Sequence, residues 1–223
     1  MVGFMSSEHD NINKKATFSS QDVKIESHVV AYQGFFKMEK LALRHRLYEG
    51  GWSNTIKREI FVRGQAVAAV MYDPVNRLIG LIEQFRVGAL GSNNSPWLCE
   101  VVAGMTEVGE QPQDVILREL REEAGMSPEE LIPICDYFSS PGGTDEQLTL
   151  FCALGDLSHV GGIHGLKKEN EDISVLILPE ESVLGDLYCG RYNNAATLIC
   201  LQWLQLNRSD MAEIYAGSLN AAL

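Results

Sequence analysis

The chain has 223 residues, 45% of them hydrophobic and 22% charged, and a formal net charge of -12. That is enough chain to bury a sizeable core, and so acidic a balance excludes a nucleic-acid binder that works through a basic face. It also means that an anionic ligand is drawn in by local arginines and bound cations, not by the molecule as a whole.

The five cysteines, at 99, 135, 152, 189 and 200, are scattered, odd in number and free of any Cys-x-x-Cys pairing. They read as reduced thiols of a cytoplasmic protein, with neither a disulfide framework nor a zinc site. No signal-like or membrane-spanning apolar run is apparent, so the sequence gives no reason to expect secretion or membrane insertion.

Residues 1–20 are polar and aperiodic and read as a flexible tail. From 23 to 48 the pattern alternates: Val23 and Ile25, then Phe36 and Met38, then Leu41, Leu43 and Leu47 after a phase slip at Glu39 and Lys40. Alternation predicts half-buried antiparallel strands, and the slip predicts a bulge. The resulting β unit, 21–57, is too small to stand alone and has to pack on its own domain or on a partner subunit.

The runs 59–72 and 78–85 are β-rich and joined by the turn Asp73-Pro74-Val75-Asn76. A polar loop at 91–96 leads to an apolar strand, 97–103, which delivers a helix. Strands follow at 132–138 and 148–154 with SSPGGTDE between them, then a long loop at 159–172 and a short strand at 173–178. Helices are expected over 179–187 and 195–206, the second with Leu198, Leu201 and Leu204 at helical spacing. Mixed strands with helices on the faces predict an α/β sandwich over 58–208, with 209–223 as a C-terminal tail.

The helix inside 104–126, GMTEVGEQPQDVILRELREEAGM, concentrates the acids. Pro112 suits its first turn, Ile116, Leu120 and Ala124 form a buried stripe, and Gly125 suits a left-handed end. Glu119 and Glu123 face one another across a turn, a like-charge pair costing roughly a few tenths of a kcal/mol. Carboxylates crowded on one face are what a hard divalent cation requires. A solvated acidic helix is the bland alternative. Arg118 either holds one of these carboxylates in place or forms a surface ion pair of little worth. The loop acids Glu169, Glu171 and Asp172 read either as a solvated loop or as a base with a metal ligand beside it.

The spacing of Gly104, Glu110, Arg118, Glu119, Leu120, Glu122, Glu123, Gly125 and Met126 resembles the signature of the Nudix hydrolases at every defined position. Beyond this box, GFF at 34–36, KREIFVRG at 57–64, LIEQFR at 81–86, PWLCEVVAGM at 96–105, SPGGT at 140–144 and GIHGLKKENEDI at 162–173 resemble the bacterial ADP-ribose diphosphatase branch. So does a proline after the box, here Pro141. Cys99 departs from the larger aliphatic common at that position, and residues 1–20 have no counterpart.

The resemblance implies a Nudix fold, an α/β/α sandwich with a mixed sheet, preceded by a small antiparallel β unit. It implies Mg²⁺-dependent hydrolysis of ADP-ribose to AMP and ribose 5-phosphate, with two or more ions per site and Mn²⁺ as a substitute. The metal ligands would be Glu119, Glu123, Glu171 and the carbonyl of Ala103, with Glu122 a further ligand or neighbouring acid and Arg118 a holder of box carboxylates. Glu169 would be the base. Phe35 or Phe36 would lie along the adenine, and Arg58, Arg63 and Arg86 would meet phosphate or ribose. Glu59, Met105, Ser140, Pro141, Gly142 and Glu146 would complete the substrate contacts. A homodimer with exchanged N-terminal units is also implied. GDP-mannose or another nucleoside diphosphate sugar is the alternative substrate, and a non-catalytic ADP-ribose sensor is disfavoured by the intact box acids.

Overall fold

In the first of two compact units, β1 (Val23–Gln33), β2 (Lys37–His45) and β3 (Ile56–Val62) pair in that order as an antiparallel sheet. The computed structural model describes residues 17–91 and 95–221; residues 1–16 of the expected tail and 92–94 of the polar loop lie outside it, as do the side chains of 169 and 219–221. β2 pairs with β3 without interruption from Lys37 opposite Val62 to Leu43 opposite Ile56, so the slip at Glu39 and Lys40 is not a bulge in that strand. The register shifts fall on β1 instead, between Ile25 and Ser27 and between Val30 and Tyr32. β1 is also exposed along its whole length rather than half-buried, Ile25 at 60% and Val29 at 57%. It is the edge strand of a three-stranded sheet, where alternation alone does not bring burial.

Residues 142–145 also belong to this unit. The Phe61 N–H donates to the Gly143 carbonyl at 2.8 Å, and the Arg63 N–H donates to Asp145 Oδ1 at 2.7 Å. The run 59–72, expected as one strand, is therefore two. Gly64, at φ +78°, interrupts it, and β4 (Gln65–Asp73) begins the second unit.

There β4 is joined by β5 (Leu78–Phe85), β6 (Trp97–Glu100), β7 (Val102–Met105), β8 (Glu130–Phe138), β9 (Gln147–Leu154), β10 (Gly162–His164) and β11 (Ile173–Pro179). The sheet order is β10-β11-β5-β4-β9-β8, with β6 pairing β5 and β7 pairing β4. β4 and β9 run parallel and the other pairs antiparallel, which makes the sheet mixed. The expected strand 97–103 is broken at Val101, whose N–H donates to Thr197 Oγ1 at 3.1 Å.

β4 is buried continuously from Val67 to Asp73 because both of its faces are covered. Val67, Ala69 and Met71 pack with Val115, Ile116, Leu120 and Ala124 of α1 (Pro112–Ala124). Ala68, Val70 and Tyr72 pack in the opposite core with Val183 of α2 (Glu180–Gly185) and Cys200, Leu201 and Leu204 of α3 (Ala195–Ala221). Each such large aliphatic, at 0% exposure, contributes roughly 1.5–3 kcal/mol.

The last helix is longer than the sequence pattern predicts. The polar stretch Asn207-Arg208-Ser209-Asp210 interrupts the apolar stripe, but Met211 and Tyr215 resume it and are 3% and 4% exposed. No helix among the described residues is long and apolar enough to cross a membrane.

The turn between β4 and β5 is fixed by Asp73, which is fully buried. Its carboxylate accepts the N–H groups of Val75, Asn76 and Leu157 at 3.0, 2.8 and 3.1 Å and the Asn76 side-chain amide at 2.8 Å. Asp73→Ala strands these donors and costs about 3–5 kcal/mol, measurable by urea unfolding. A loss below about 1 kcal/mol would mean that the turn holds without it.

Candidate active site

α1 begins and ends as its sequence dictates. Pro112 occupies the first turn, and Gly125 at φ 65° closes the helix, with its N–H on the Arg121 carbonyl and the Met126 N–H on that of Leu120. Glu119 and Glu123 flank the buried stripe, on the edge of the helix that meets β7.

Glu123 is 4% exposed, and its Oε2 accepts the Ala103 N–H at 3.2 Å. Burial pushes its carboxyl up to about 8; the charges of Glu119 and Glu171 push the same way, while the Ala103 amide and Arg86 oppose them. Glu119 is also raised, first by burial, with Glu122 and Glu171 adding to it and Arg118 opposing. Glu119 rests against Gly104, where a Cβ would stand 2.4 Å from its carboxyl carbon. A side chain at this position would push the Glu119 carboxyl from its place.

Arg118 donates to Glu110 Oε1 at 2.6 Å and to Glu119 Oε1 at 3.3 Å. Its charge, with the Glu107 N–H, holds the Glu110 carboxyl below its ordinary value. The loop returns to α1 through the Gly165 N–H, which donates to the Glu122 carbonyl at 3.3 Å. Within the loop Glu171 Oε2 accepts the Leu166 N–H at 2.9 Å. Glu169 ends a short 3-10 turn, Lys167–Glu169, and its side chain lies outside the described residues.

The charge of Glu171 thus reaches both Glu119 and Glu123, that of Glu122 reaches Glu119, and Glu123 is bonded to Ala103. Among the described residues no three His, Cys, Asp or Glu are already gathered closely enough to hold a cation. Glu119 is turned to Arg118 and Glu123 to the Ala103 amide. The donor set nevertheless fits a hard dication, since carboxylates raised by burial and by one another gain most from a shared positive charge.

Arg86 lies just beyond β5 and is bound through Nε to the buried Glu100 at 2.7 Å. Met105, at the end of β7, is 44% exposed. Ser140 and Pro141 are exposed, and Glu146 is half-buried, with its carbonyl accepting the Ser139 N–H at 3.1 Å.

The first unit holds the remaining residues singled out by the sequence. Phe35, Phe36 and Phe61 stack edge to face, with ring centroids 4.8 and 5.1 Å apart, and the Arg63 guanidinium lies 4.8 Å over Phe36. Phe35 is 88% exposed, and a shallow cavity of about 250 Å³ is lined by Tyr32, Phe35, Phe36, Lys37, Met38 and Phe61. Arg58 bonds the Lys57 carbonyl at 2.8 Å, and Glu59 pairs with Lys40 at 3.1 Å. Gly142 is exposed in the segment that follows Pro141.

Sequence reasoning did not single out Glu100, Asn194 or Gln84. An acid inside the apolar run WLCEVV is the one signal that could have found Glu100, because a buried carboxylate needs a partner.

A mixed sheet between helical layers, with one helix presenting a row of acids beside a close-packed glycine strand, is a phosphohydrolase scaffold of the Nudix class. The NUDIX domain profile matches residues 62–188, and the chain belongs to that family. It is 40% identical over 204 residues to an ADP-ribose pyrophosphatase of Haemophilus influenzae, covering 90% of this chain and 94% of that protein. It is 41% identical to the ADP-ribose pyrophosphatase of Escherichia coli strain K12, covering 92% and 98%. A GDP-mannose pyrophosphatase of Escherichia coli strain UTI89 is 31% identical over 153 residues, covering 68% and 78%. In fold the chain is similar to the crystal structure of an ADP compounds hydrolase, with a TM-score of 0.63 at 17% identity, covering 87% of this chain and 98% of that one.

Proposed function

We propose that this protein hydrolyses the diphosphate bond of ADP-ribose to AMP and ribose 5-phosphate, using Mg²⁺ held by the acids of α1 and the following loop. The observation that carries the reading is likeness to ADP-ribose pyrophosphatases over nine-tenths of the chain, combined with an acid helix whose carboxylates are raised together.

Glu119, Glu123, Glu171 and the Ala103 carbonyl would hold two or more divalent ions, with Glu122 a further ligand or neighbouring acid and Mn²⁺ able to substitute. Bound there, the ions neutralise the diphosphate and make water a stronger acid. Glu169 takes the proton of the attacking water, acting from a loop that Gly165 and Leu166 fasten to the helix and to Glu171. Arg118 keeps Glu110 and Glu119 in place. Phe35 or Phe36 lies along the adenine, whose flat face suits that of the ring. Arg58, Arg63 and Arg86 hold phosphate or ribose oxygens, with Glu59, Met105, Ser140, Pro141, Gly142 and Glu146 as further substrate contacts. The exposed β1 and the smallness of its sheet support a homodimer that exchanges this N-terminal unit. Free thiols at all five cysteines suit the cytoplasm.

The test is a panel of nucleoside diphosphate sugars offered to purified protein. ADP-ribose is expected to be cleaved with a kcat/KM at least ~10-fold above that of GDP-mannose, a difference of about 1.4 kcal/mol. Faster cleavage of GDP-mannose would transfer the assignment to the relatives that carry that name.

Metal binding is linked to protons. With its folded value near 8 and an ordinary value of 4.5, Glu123 binds a proton more tightly in the folded chain than in the unfolded one. Its contribution to metal-free stability is complete below pH 4.5 and fades as pH rises through 8. A dication takes the ionised form, so affinity rises by up to about tenfold per pH unit below that value and then levels off. The melting-temperature gain from a fixed magnesium concentration is thus larger at about pH 8 than at about pH 6. An equal gain at both would remove Glu123 from the ligand set.

A further inference from the structure

Arg86 follows β5 on the strand face of Ile82 and Gln84, and 42% of its side chain is exposed. Its Nε donates to Glu100 Oε2 at 2.7 Å. Glu100 is 2% exposed, and its other oxygen accepts the Asn194 side-chain amide at 2.8 Å. Asn194 in turn caps α3, its Oδ1 accepting the Thr197 N–H at 3.1 Å and the Thr197 hydroxyl at 3.3 Å. The Thr197 hydroxyl oxygen accepts the Val101 N–H at 3.1 Å, which ties the same helix end to the strand beside Glu100. A continuous chain of bonds therefore runs from the start of α3 to one edge of a guanidinium.

Burying a carboxylate this deeply carries a large desolvation cost, and an ordinary surface ion pair does not repay it. What the arrangement accomplishes is directional. Nε is committed to Glu100, which restrains the planar group, and among the described residues its two terminal nitrogens have no hydrogen-bond partner, which leaves them for an outside acceptor. Gln84, two residues earlier on the same face, is 8% exposed and has no partner for its amide nitrogen among the described residues. An orphaned donor there is satisfied when an acceptor arrives from outside.

We propose that Glu100 and Asn194 are positioning residues, which lock Arg86 in the orientation that grips an anionic oxygen of the substrate's diphosphate. The proposal rests on the reading of Arg86 as a substrate-binding residue. Neither residue touches substrate; both act on affinity through the guanidinium.

The experiment compares kcat, KM for ADP-ribose and melting temperature for Arg86→Ala, Glu100→Gln, Asn194→Ser and the double variant Arg86→Ala with Glu100→Gln. Arg86→Ala is expected to raise KM about 30-fold and Glu100→Gln about 10-fold, each with kcat within about twofold. The double variant should be no worse than Arg86→Ala alone, because without the guanidinium there is nothing for Glu100 to position. Asn194→Ser keeps a hydroxyl cap on α3 yet withdraws the amide from Glu100, and raises KM about threefold. An unchanged KM in Arg86→Ala overturns the reading of Arg86 itself. A raised KM there, with Glu100→Gln folded and unaffected or with the two effects multiplying, overturns the positioning role alone. If Glu100→Gln does not fold, Asn194→Ser decides the matter: a normal KM in that folded variant overturns the role.

Discussion

Glu123→Gln removes turnover of ADP-ribose with Mg²⁺ by roughly 10³-fold and leaves the protein folded and, without metal, more stable than the parent. The substitution keeps the size of the side chain and an oxygen for the Ala103 N–H, which donates at 3.2 Å. It removes a charge that the site disfavours, since burial and the neighbouring Glu119 and Glu171 push the carboxyl up to about 8. At neutral pH the unfolded chain carries that carboxylate ionised while the folded chain keeps it protonated, so folding of the parent has to recover a proton. The glutamine does not, and gains about 1–3 kcal/mol on that account. Activity lost together with stability gained is the mark of a group kept for chemistry at the expense of the fold. The measurement is steady-state kinetics beside metal-free thermal melting. Near-normal rates in a folded Glu123→Gln protein would remove the residue from the metal site.

Glu169→Gln lowers kcat by about 10²–10⁴-fold and changes KM little, as expected when a proton acceptor is lost and binding groups remain. Its loop is secured to α1 through the Gly165 N–H on the Glu122 carbonyl, so the exchange leaves the neighbouring acids where they are. The distinguishing measurement is the split between the two constants, with a pH–rate profile that loses its acidic limb in the variant. A risen KM with kcat retained would make Glu169 a binding residue and leave the base to be sought at Glu171 or Glu122.

The acid helix was legible in the sequence for a physical reason. Pro112, the stripe of Ile116, Leu120 and Ala124, and Gly125 each obey local rules that hold whatever surrounds them. The central strands were legible because burial on both faces leaves a continuous apolar run. Tertiary effects account for what was not. Alternation along β1 suggested burial, yet burial depends on what covers the sheet, and at this edge the strand is exposed. The polar stretch after Leu206 hid the last turns of α3, where the distant recurrence of Met211 and Tyr215 keeps the helix against the core. Glu100 and Asn194 are 94 residues apart in sequence, and no local pattern announces that one bonds the other. Gly104, by contrast, was found by its motif, and the structure supplies the reason in the Glu119 side chain packed against it.

The parallel pairing of β4 with β9 sets the timetable of assembly. Gln65 lies beside Gln147 and Tyr72 beside Leu154, so the middle strand meets this neighbour about 80 residues after it has been synthesised. A ribosome adding roughly 5–20 residues each second leaves that one edge of the strand without its partner for several seconds. The side of β4 that faces β9 is thus the last to gain its partner as the chain emerges, after β5 and β7 have been made.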